Sequence, residues 1–526
     1  MAIFDKLKAL ADDFVMRFEN KWEKRVLVLI TLFTLLRAFL GGILGLGDDE
    51  AYYWEWSRRL QLSYYDHPAM VAWMIKVGTM IFGQNPFGVR VFGLLCNAAT
   101  AYLIWVLGCR LLNRQAALIG VLFYVFAPIF SLGGILMVPD APMGAAWMAL
   151  LVVLWRIYGE SDDRYSTWIL AGALLGIGLL SKYTIVLLGA SAVLLFLLDG
   201  ERRRDLATGK FLAALGIAAA FSLPIVMWNI ELGWPTLKFH LHDRHTGGGG
   251  ANFSRWGQFW ASQAIALGPA LLIGCLATWI VALLRWRDRR WRFLFMLSAP
   301  TFVIFATQAL YAEFKPHWPA PAYILTFLGF AELFREGFGL ASQTVRRWAR
   351  GIVAALILLI FVPINLLFYI GTVWPLLPKI ARVVAPETPW DPKFDPTNDL
   401  FGWDRAVARA EEIRKELAEN GEPAPFLSSS RYQLVAQIAF IAQERVWRVS
   451  PGQDQYSFWQ TSDEWRPLVG RSSIFITDHR YERDPRGDGV FESCEELEPE
   501  TVMRGDEPAR KFHFWLCRGF LGFRTE

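Results

Sequence analysis

The sequence predicts an α-helical polytopic membrane protein that ends in a small α/β domain. Hydrophobic residues fill 54% of the 526 positions, tryptophan occurs 24 times and the mean hydropathy is positive. Such a chain is too apolar and too aromatic for an ordinary soluble enzyme. Apolar runs near the length that crosses a bilayer, about 17 to 25 residues, recur between residues 26 and 372. Arginines gather in short blocks between those runs, so the placement of charge carries more meaning than the formal net charge of +4. The blocks read as topology signals, and no nucleic-acid partner is expected.

Residues 1–25, MAIFDKLKALADDFVMRFENKWEKR, are charged and amphipathic. The apolar run after them lacks a small-residue cleavage site, which predicts an uncleaved first span behind a cytoplasmic N-terminus. Spans are expected at 26–46, 86–108, 115–133, 141–158, 183–199, 210–228, 258–284, 292–309 and 350–372, with shorter ones at 167–181 and 318–334. AMVAWMIKVGTMIF at 69–82 is a tilted or interfacial candidate, giving about 11 to 13 transmembrane helices in all.

With the N-terminus inside, every basic block falls on one face. These blocks are Lys21, Lys24 and Arg25; Arg110 and Arg114; Arg202 to Arg204 and Lys210; Arg285 to Arg292; and Arg346 to Arg350. Dropping one span would throw half of them across the bilayer. The outer face then receives a large first loop at 47–85, the PDAP turn at 139–142, the SKY junction at 181–183, the loop 229–257, the turn 310–317 and residues 373–526.

The expected division is therefore 1–25 as the N-terminal segment, 26–372 as the membrane domain and 373–526 as an outer domain. This last part opens with a proline-rich linker, shows a charged helical pattern at 403–418, and carries strand-like runs in SSIFITD and KFHFWLC. No internal repeat or low-complexity segment occurs.

Cys96, Cys109 and Cys275 sit in or at the ends of apolar runs, whereas Cys494 and Cys517 lie in the polar C-terminal part. No CxxC or Cys/His cluster is present, so zinc is not indicated. In an oxidising compartment Cys494 and Cys517 are candidates for a disulfide; in a reducing one they are two thiols.

Charged side chains near spans stand at the water boundary or carry function, because placing a charge at mid-bilayer costs about 3 kcal/mol even on the lenient insertion scale. The outer face holds Asp49, Glu50, Asp66, His67, Asp140, Lys182, Glu231, His240, His242, Asp243, Arg244, His245, Glu313, Lys315 and His317, including five of the seven histidines.

Asp48-Asp49-Glu50 fits a solvated helix cap. Composition favours that cap; the other reading is a surface carboxylate acting as general base on an acceptor hydroxyl. Adjacent helix positions diverge by about 100°, so Asp49 and Glu50 cannot both face one substrate atom. Asp140, between two prolines, is an N-cap candidate or a second functional carboxylate. Lys182 interrupts GIGLLSKYTIVLL, as a snorkelling lysine or as a partner for a lipid phosphate.

His240, His242 and His245 are of metal-ligating type, but their spacing matches no established site, so a divalent metal is not indicated and no cofactor is assigned. GGGG at 247–250 reads as a mobile gate, since neither GxxxxGK[ST] nor GxGxxG is present. Lys315 and His317 lie in YAEFKPHWPAPAY, which suits an aromatic-belt turn as well as a phosphate contact.

GDDEAYYWEWSRRLQLSYYDHPAMVAWMI resembles the first external loop of the lipid-dependent glycosyltransferases of the GT-C type, in the protein mannosyltransferase-like group of glycosyltransferase families 39 and 83. That group includes bacterial transferases that place aminoarabinose or galacturonic acid on lipid A and core. MVPDAP, LLSKYT, KPHWPAPAY and the C-terminal RYQLVAQIAFIAQ and DQYSFW follow in the order found in the group. DEAYYW followed by YYDHP is fairly specific, and the other elements are weak individually.

The resemblance implies a GT-C fold with a cavity open to the outer leaflet, a polyprenyl-phosphate-sugar donor, a glycolipid or glycan acceptor, and a place in a bacterial inner membrane with the site on the periplasmic side. It implies catalytic roles for Asp49, Glu50 and Asp140. Donor-phosphate contacts fall to His67, Lys182, Arg244, Lys315 and His317, and substrate-loop positions to Tyr52, Tyr65, His242 and His245. Many relatives carry Lys where this chain has His67, a weaker anion partner at neutral pH.

A polyprenyl phosphate is a good leaving group, so the chemistry needs a base on the acceptor and positive charge at the departing phosphate. Direct displacement with inversion at the sugar carbon is expected. Three other classes fit parts of the pattern: a transporter or flippase of lipid-linked sugars, which needs no base and for which repeated halves and paired broken helices are missing; a protein O-glycosyltransferase; and a structural member of an envelope-assembly complex.

Overall fold

The computed structural model describes residues 21–240 and 250–523. These described residues separate into two compact units, one drawn from 21–40, 67–70 and 90–365, the other from 41–66, 71–89 and 366–523. The first-loop segments therefore cluster with the C-terminal part of the chain, across an intervening sequence of more than 250 residues.

The first unit is helical. Among the described residues, six helices are long and apolar enough to cross a membrane: Lys21–Ile43, Pro86–Leu111, Asp140–Tyr158, Gly209–Glu231, Arg289–Tyr311 and Gln343–Gly371. Phe253–Leu267 and Pro269–Leu284, expected as one span at 258–284, are bent by 106°. Gly268 adopts φ +78 between them and Pro269 opens the next helix, so the backbone turns where proline cannot continue the previous ladder. The run expected at 115–133 likewise breaks at Pro128 into Arg114–Phe126 and Pro128–Gly133. Tyr165–Ser181, Ile185–Leu198 and Ala320–Glu336 are helices of 17, 14 and 17 residues, about 21 to 26 Å long at 1.5 Å per residue.

Small residues set the closest approach. Gly172 and Gly176 lie one turn apart on Tyr165–Ser181, and a Cβ at either would collide with Ala214 or Phe221 of Gly209–Glu231. This small-xxx-small pattern lets two helix backbones meet where apolar surface alone supplies no drive.

The arginine blocks assigned to one face are joined through acids. Arg110 pairs with Glu160 at 2.9 Å, Arg292 with Asp199 at 3.1 Å, and Arg285 with Glu336 at 3.2 Å, while Asn113 donates to Glu332 at 2.7 Å. Helix Asp140–Tyr158 orients this cluster: Arg156 and Glu160 lie at its C-terminal end and Asp140 at its start. Nineteen residues of helix put roughly 28 Å between those ends. The candidate acid Asp140 thus stands at the far end of the unit from the basic cluster.

The second unit contains a six-stranded sheet. Strands β1 (Phe426–Ser429), β2 (Val446–Arg448), β3 (Ser473–Asp478), β4 (Phe491–Glu496), β5 (Glu500–Arg504) and β6 (Glu507–Phe520) run in the order β2-β1-β3-β6-β4, with β5 pairing β6. β1 is parallel to β2 and β3, and β6 is antiparallel to β3, β4 and β5. Phe426, Phe475, Phe491, Trp515 and Phe520 form one apolar core under it. The charged pattern at 403–418 is helix Trp403–Glu419, and SSIFITD and KFHFWLC lie in β3 and β6.

Cys494 and Cys517 are cross-strand neighbours on β4 and β6 and form a disulfide that closes a loop with sequence separation 23. A loop of that size constrains the unfolded chain by about 3 kcal/mol. The double variant Cys494→Ser/Cys517→Ser is therefore expected to lower the denaturation midpoint of the full-length protein, and added reductant to reproduce that loss in wild type only. Equal midpoints for all samples would show that the bond carries no stability.

Candidate functional site

Gly47 is extended (φ −72, ψ 159) and begins helix Asp48–Arg58, so the three acids occupy its first turn. Their roles then diverge. Glu50 is 1% exposed, and its Oε2 accepts the Gly47 N–H at 2.9 Å, which satisfies an otherwise unpaired donor at the helix start. Asp48 Oδ1 accepts from Gln437 Nε2 at 3.1 Å. Asp49 is exposed, and its Oδ1 accepts from the Tyr432 hydroxyl at 3.3 Å.

The Asp48 carboxyl is pushed up to about 7, by burial first and by the nearby Asp399 carboxylate second, with Arg510 and Gln437 acting the other way. A carboxyl raised in the folded state contributes stability that is complete below its unfolded value, near 4, and is lost as pH rises through about 7. Asp48→Asn keeps an oxygen for Gln437 and removes the titration. Relative to wild type it is expected to gain on the order of 2 kcal/mol between pH 5 and 8. Denaturation at both pH values checks this, and a constant difference would exclude Asp48 as the titrating group.

Tyr52 and Tyr65 are buried, each 2% exposed. The Tyr52 hydroxyl donates to Asp66 Oδ2 at 3.0 Å and accepts the Gln455 N–H at 2.8 Å. The Tyr65 N–H donates to Gln455 Oε1 at 2.8 Å. Both tyrosines thus tie the loop to the segment 453–456. Tyr432, Gln437 and Gln455 were not among the expected site residues. The usable signal was a glutamine inside the apolar helix Tyr432–Ala442, where a polar group needs a partner.

In the helical unit, Asp140 opens its helix after Pro139, and Lys182 is the extended residue that ends Tyr165–Ser181 before the chain re-enters a helix at Ile185. The break in the apolar run is therefore a helix junction. Lys182 Nζ lies 2.8 Å from both Asp140 carboxylate oxygens, with side-chain exposures of 8% and 30%.

A cavity of about 180 Å³ is lined by His67, Lys182, Tyr183, Thr184, His240, Phe305, Gln308 and Trp318. The Tyr183 and His240 rings meet edge to face at 5.3 Å. Lys315 and His317 are exposed on the turn after Tyr311. His242, Arg244 and His245 lie outside the described residues. Among the described residues no cluster of three or more His, Cys, Asp or Glu has a metal-holding arrangement.

This helical unit, with a small cavity lined by Lys182 and two histidines at the end remote from the arginines, is that of a multi-pass membrane protein. The family model described as dolichyl-phosphate-mannose-protein mannosyltransferase matches residues 66–228. The chain is 27% identical over 281 residues to the lipid A galacturonosyltransferase RgtD of Rhizobium johnstonii, covering 52% of this chain and 58% of that protein. It is 30% identical over 240 residues to the undecaprenyl phosphate-alpha-4-amino-4-deoxy-L-arabinose arabinosyl transferase of Pseudomonas aeruginosa, covering 44% and 41%. The chain thus spans about half the length of the curated relatives it matches.

In fold it is similar to ArnT from Cupriavidus metallidurans bound to undecaprenyl phosphate, with TM-score 0.57 and 15% identity over 93% of this chain and 97% of that one. The Archaeoglobus fulgidus oligosaccharyltransferase AglB, in complex with an inhibitory peptide and a dolichol-phosphate, gives TM-score 0.53 and 12% identity over 87% and 70%. The chain is a multi-pass membrane protein with the GT-C fold, similar to these glycosyltransferases in sequence and in structure.

Proposed function

We propose that the protein is an inverting glycosyltransferase. It moves a sugar from a polyprenyl-phosphate donor to an envelope glycolipid, lipid A or lipopolysaccharide core, on the periplasmic face of a bacterial inner membrane. The observation that carries this reading is the cavity in which Lys182, His67 and His240 converge at the end of the helical unit remote from the arginine blocks. Its size suits a phosphate group, and its cationic and hydrogen-bonding walls would stabilise charge on a departing one. The likeness to transferases whose names include lipid A and undecaprenyl phosphate supports the donor and acceptor classes.

In this mechanism Asp49 removes the proton from the acceptor hydroxyl as that oxygen attacks the sugar carbon, and the carbon–oxygen bond to the phosphate breaks on the opposite side. The polyprenyl phosphate leaves with its charge met by Lys182 and the imidazoles. Asp140 holds the Lys182 ammonium in place. Positive-inside placement of the arginines and the Cys494–Cys517 disulfide both support a periplasmic outer face. A carrier of lipid-linked sugars would need no base, and the similar proteins are named as transferases, which favours transfer.

The test is product formation by the purified protein with undecaprenyl-phosphate-linked 4-amino-arabinose or galacturonic acid and lipid A, together with mass spectrometry of envelope glycolipids from cells with and without the gene. A glycolipid that loses one sugar on deletion is the expected result. Unchanged glycolipids, with accumulation of lipid-linked sugar on one leaflet, would indicate a carrier instead.

A further inference from the structure

We infer that Tyr432, at the start of helix Tyr432–Ala442, is a positioning residue for the Asp49 carboxylate, so that the C-terminal part of the chain supplies a piece of the transfer machinery. This rests on Asp49 as the base. An exposed aspartate rotates about two side-chain bonds, and a base must hold one oxygen toward the acceptor proton to within hydrogen-bond reach. The Tyr432 hydroxyl donates to Oδ1 of Asp49 at 3.3 Å, a contact that restricts the rotation of the carboxylate.

The phenol is itself fixed. Its ring lies 4.4 Å from that of Tyr52, and Tyr52 is buried with its hydroxyl bonded to Asp66 and to the Gln455 backbone. Five residues along the same helix, Gln437 donates to the Leu46 carbonyl at 2.8 Å and to Asp48 at 3.1 Å. Together with Gln455, these contacts fix the register between the helix carrying Tyr432 and the helix carrying Asp49. Burial first, and the Asp49 carboxylate next, push the phenol far above its ordinary value, so it remains an O–H donor throughout the working pH range.

A donor to the ionised form favours that form. Losing it is expected to slow transfer and to move the acid limb of the pH–rate profile upward, a signature that loss of fold would not produce.

Membranes of a deletion strain carrying wild type, Y432F or D49N contain the cell's own donor and acceptor. Each is assayed between about pH 5 and 8 for the rate at which the glycolipid lost on deletion is made, normalised to folded protein by thermal melting in detergent. The expected result is a Y432F rate about tenfold lower at neutral pH, with an acid limb displaced to higher pH. Y432F matching wild type in rate and profile, with D49N inactive, would overturn the role of Tyr432 and leave Asp49 in place. A slower Y432F with an unmoved acid limb would also overturn it, since that is the pattern of a merely structural residue. An active D49N would overturn the base assignment, and the role of Tyr432 with it.

Discussion

Asp49→Asn is expected to abolish transfer, lowering the rate by about 10² to 10⁴-fold, the range for removal of a general base. KM for the donor should change little, because the proposed phosphate contacts lie on other residues. The specificity of this effect follows from how the three neighbouring acids are used. Glu50 accepts the Gly47 N–H and Asp48 is held by Gln437, whereas the Asp49 carboxylate is the exposed one.

Asparagine at 49 keeps the shape and an acceptor oxygen for Tyr432, so melting should stay within about 0.5 kcal/mol of wild type. Glu50→Gln keeps the oxygen that the cap requires and should retain most activity. Glu50→Ala removes the cap at a cost of about 1 kcal/mol and should lose stability before chemistry. Steady-state rates on the three variants with melting curves decide the assignment, and an Asp49→Asn enzyme with unaltered rate would falsify it.

Lys182→Met is expected to lose both stability and donor binding. Methionine preserves length and apolar volume but leaves the Asp140 carboxylate without the ammonium that contacts both its oxygens at 2.8 Å. Breaking a buried pair from one side costs about 3 to 5 kcal/mol. The 30% exposure of Asp140 places this one toward the lower figure. Lys182→Met/Asp140→Asn removes the stranded charge and should recover most of the stability while remaining defective in transfer, because the cavity still lacks its cation.

Melting temperature, binding of undecaprenyl phosphate and rate, measured on both single variants and the double, separate the pair's stability from its proposed part in donor binding. Recovery of full transfer in the double variant would reduce Lys182 to a structural role.

The order of apolar runs and the arginine blocks between them made the membrane class and the ends of the helices legible, because bilayer thickness and the cost of moving charge across it act on every span alike. DEAYYW and YYDHP marked the first loop for the same reason that they carry the family resemblance: local residue types encode local chemistry. Helix breaks at Pro128 and Gly268 were present as residues but invisible to hydropathy, which averages over the turn.

What the sequence by itself determined was a membrane protein with a separate α/β segment at its end. Only the tertiary structure decided what each acid touches. Asp48, Asp49 and Glu50 are chemically near-equivalent in a string of letters, and their environments differ because Gln437 and Tyr432, nearly 400 residues later, reach two of them while the third turns back on its own helix. Likewise the lysine that interrupts an apolar run became half of an ion pair only when the Asp140 helix was packed beside it. A carboxylate's role is set by burial and by partners, and those are fixed by long-range packing.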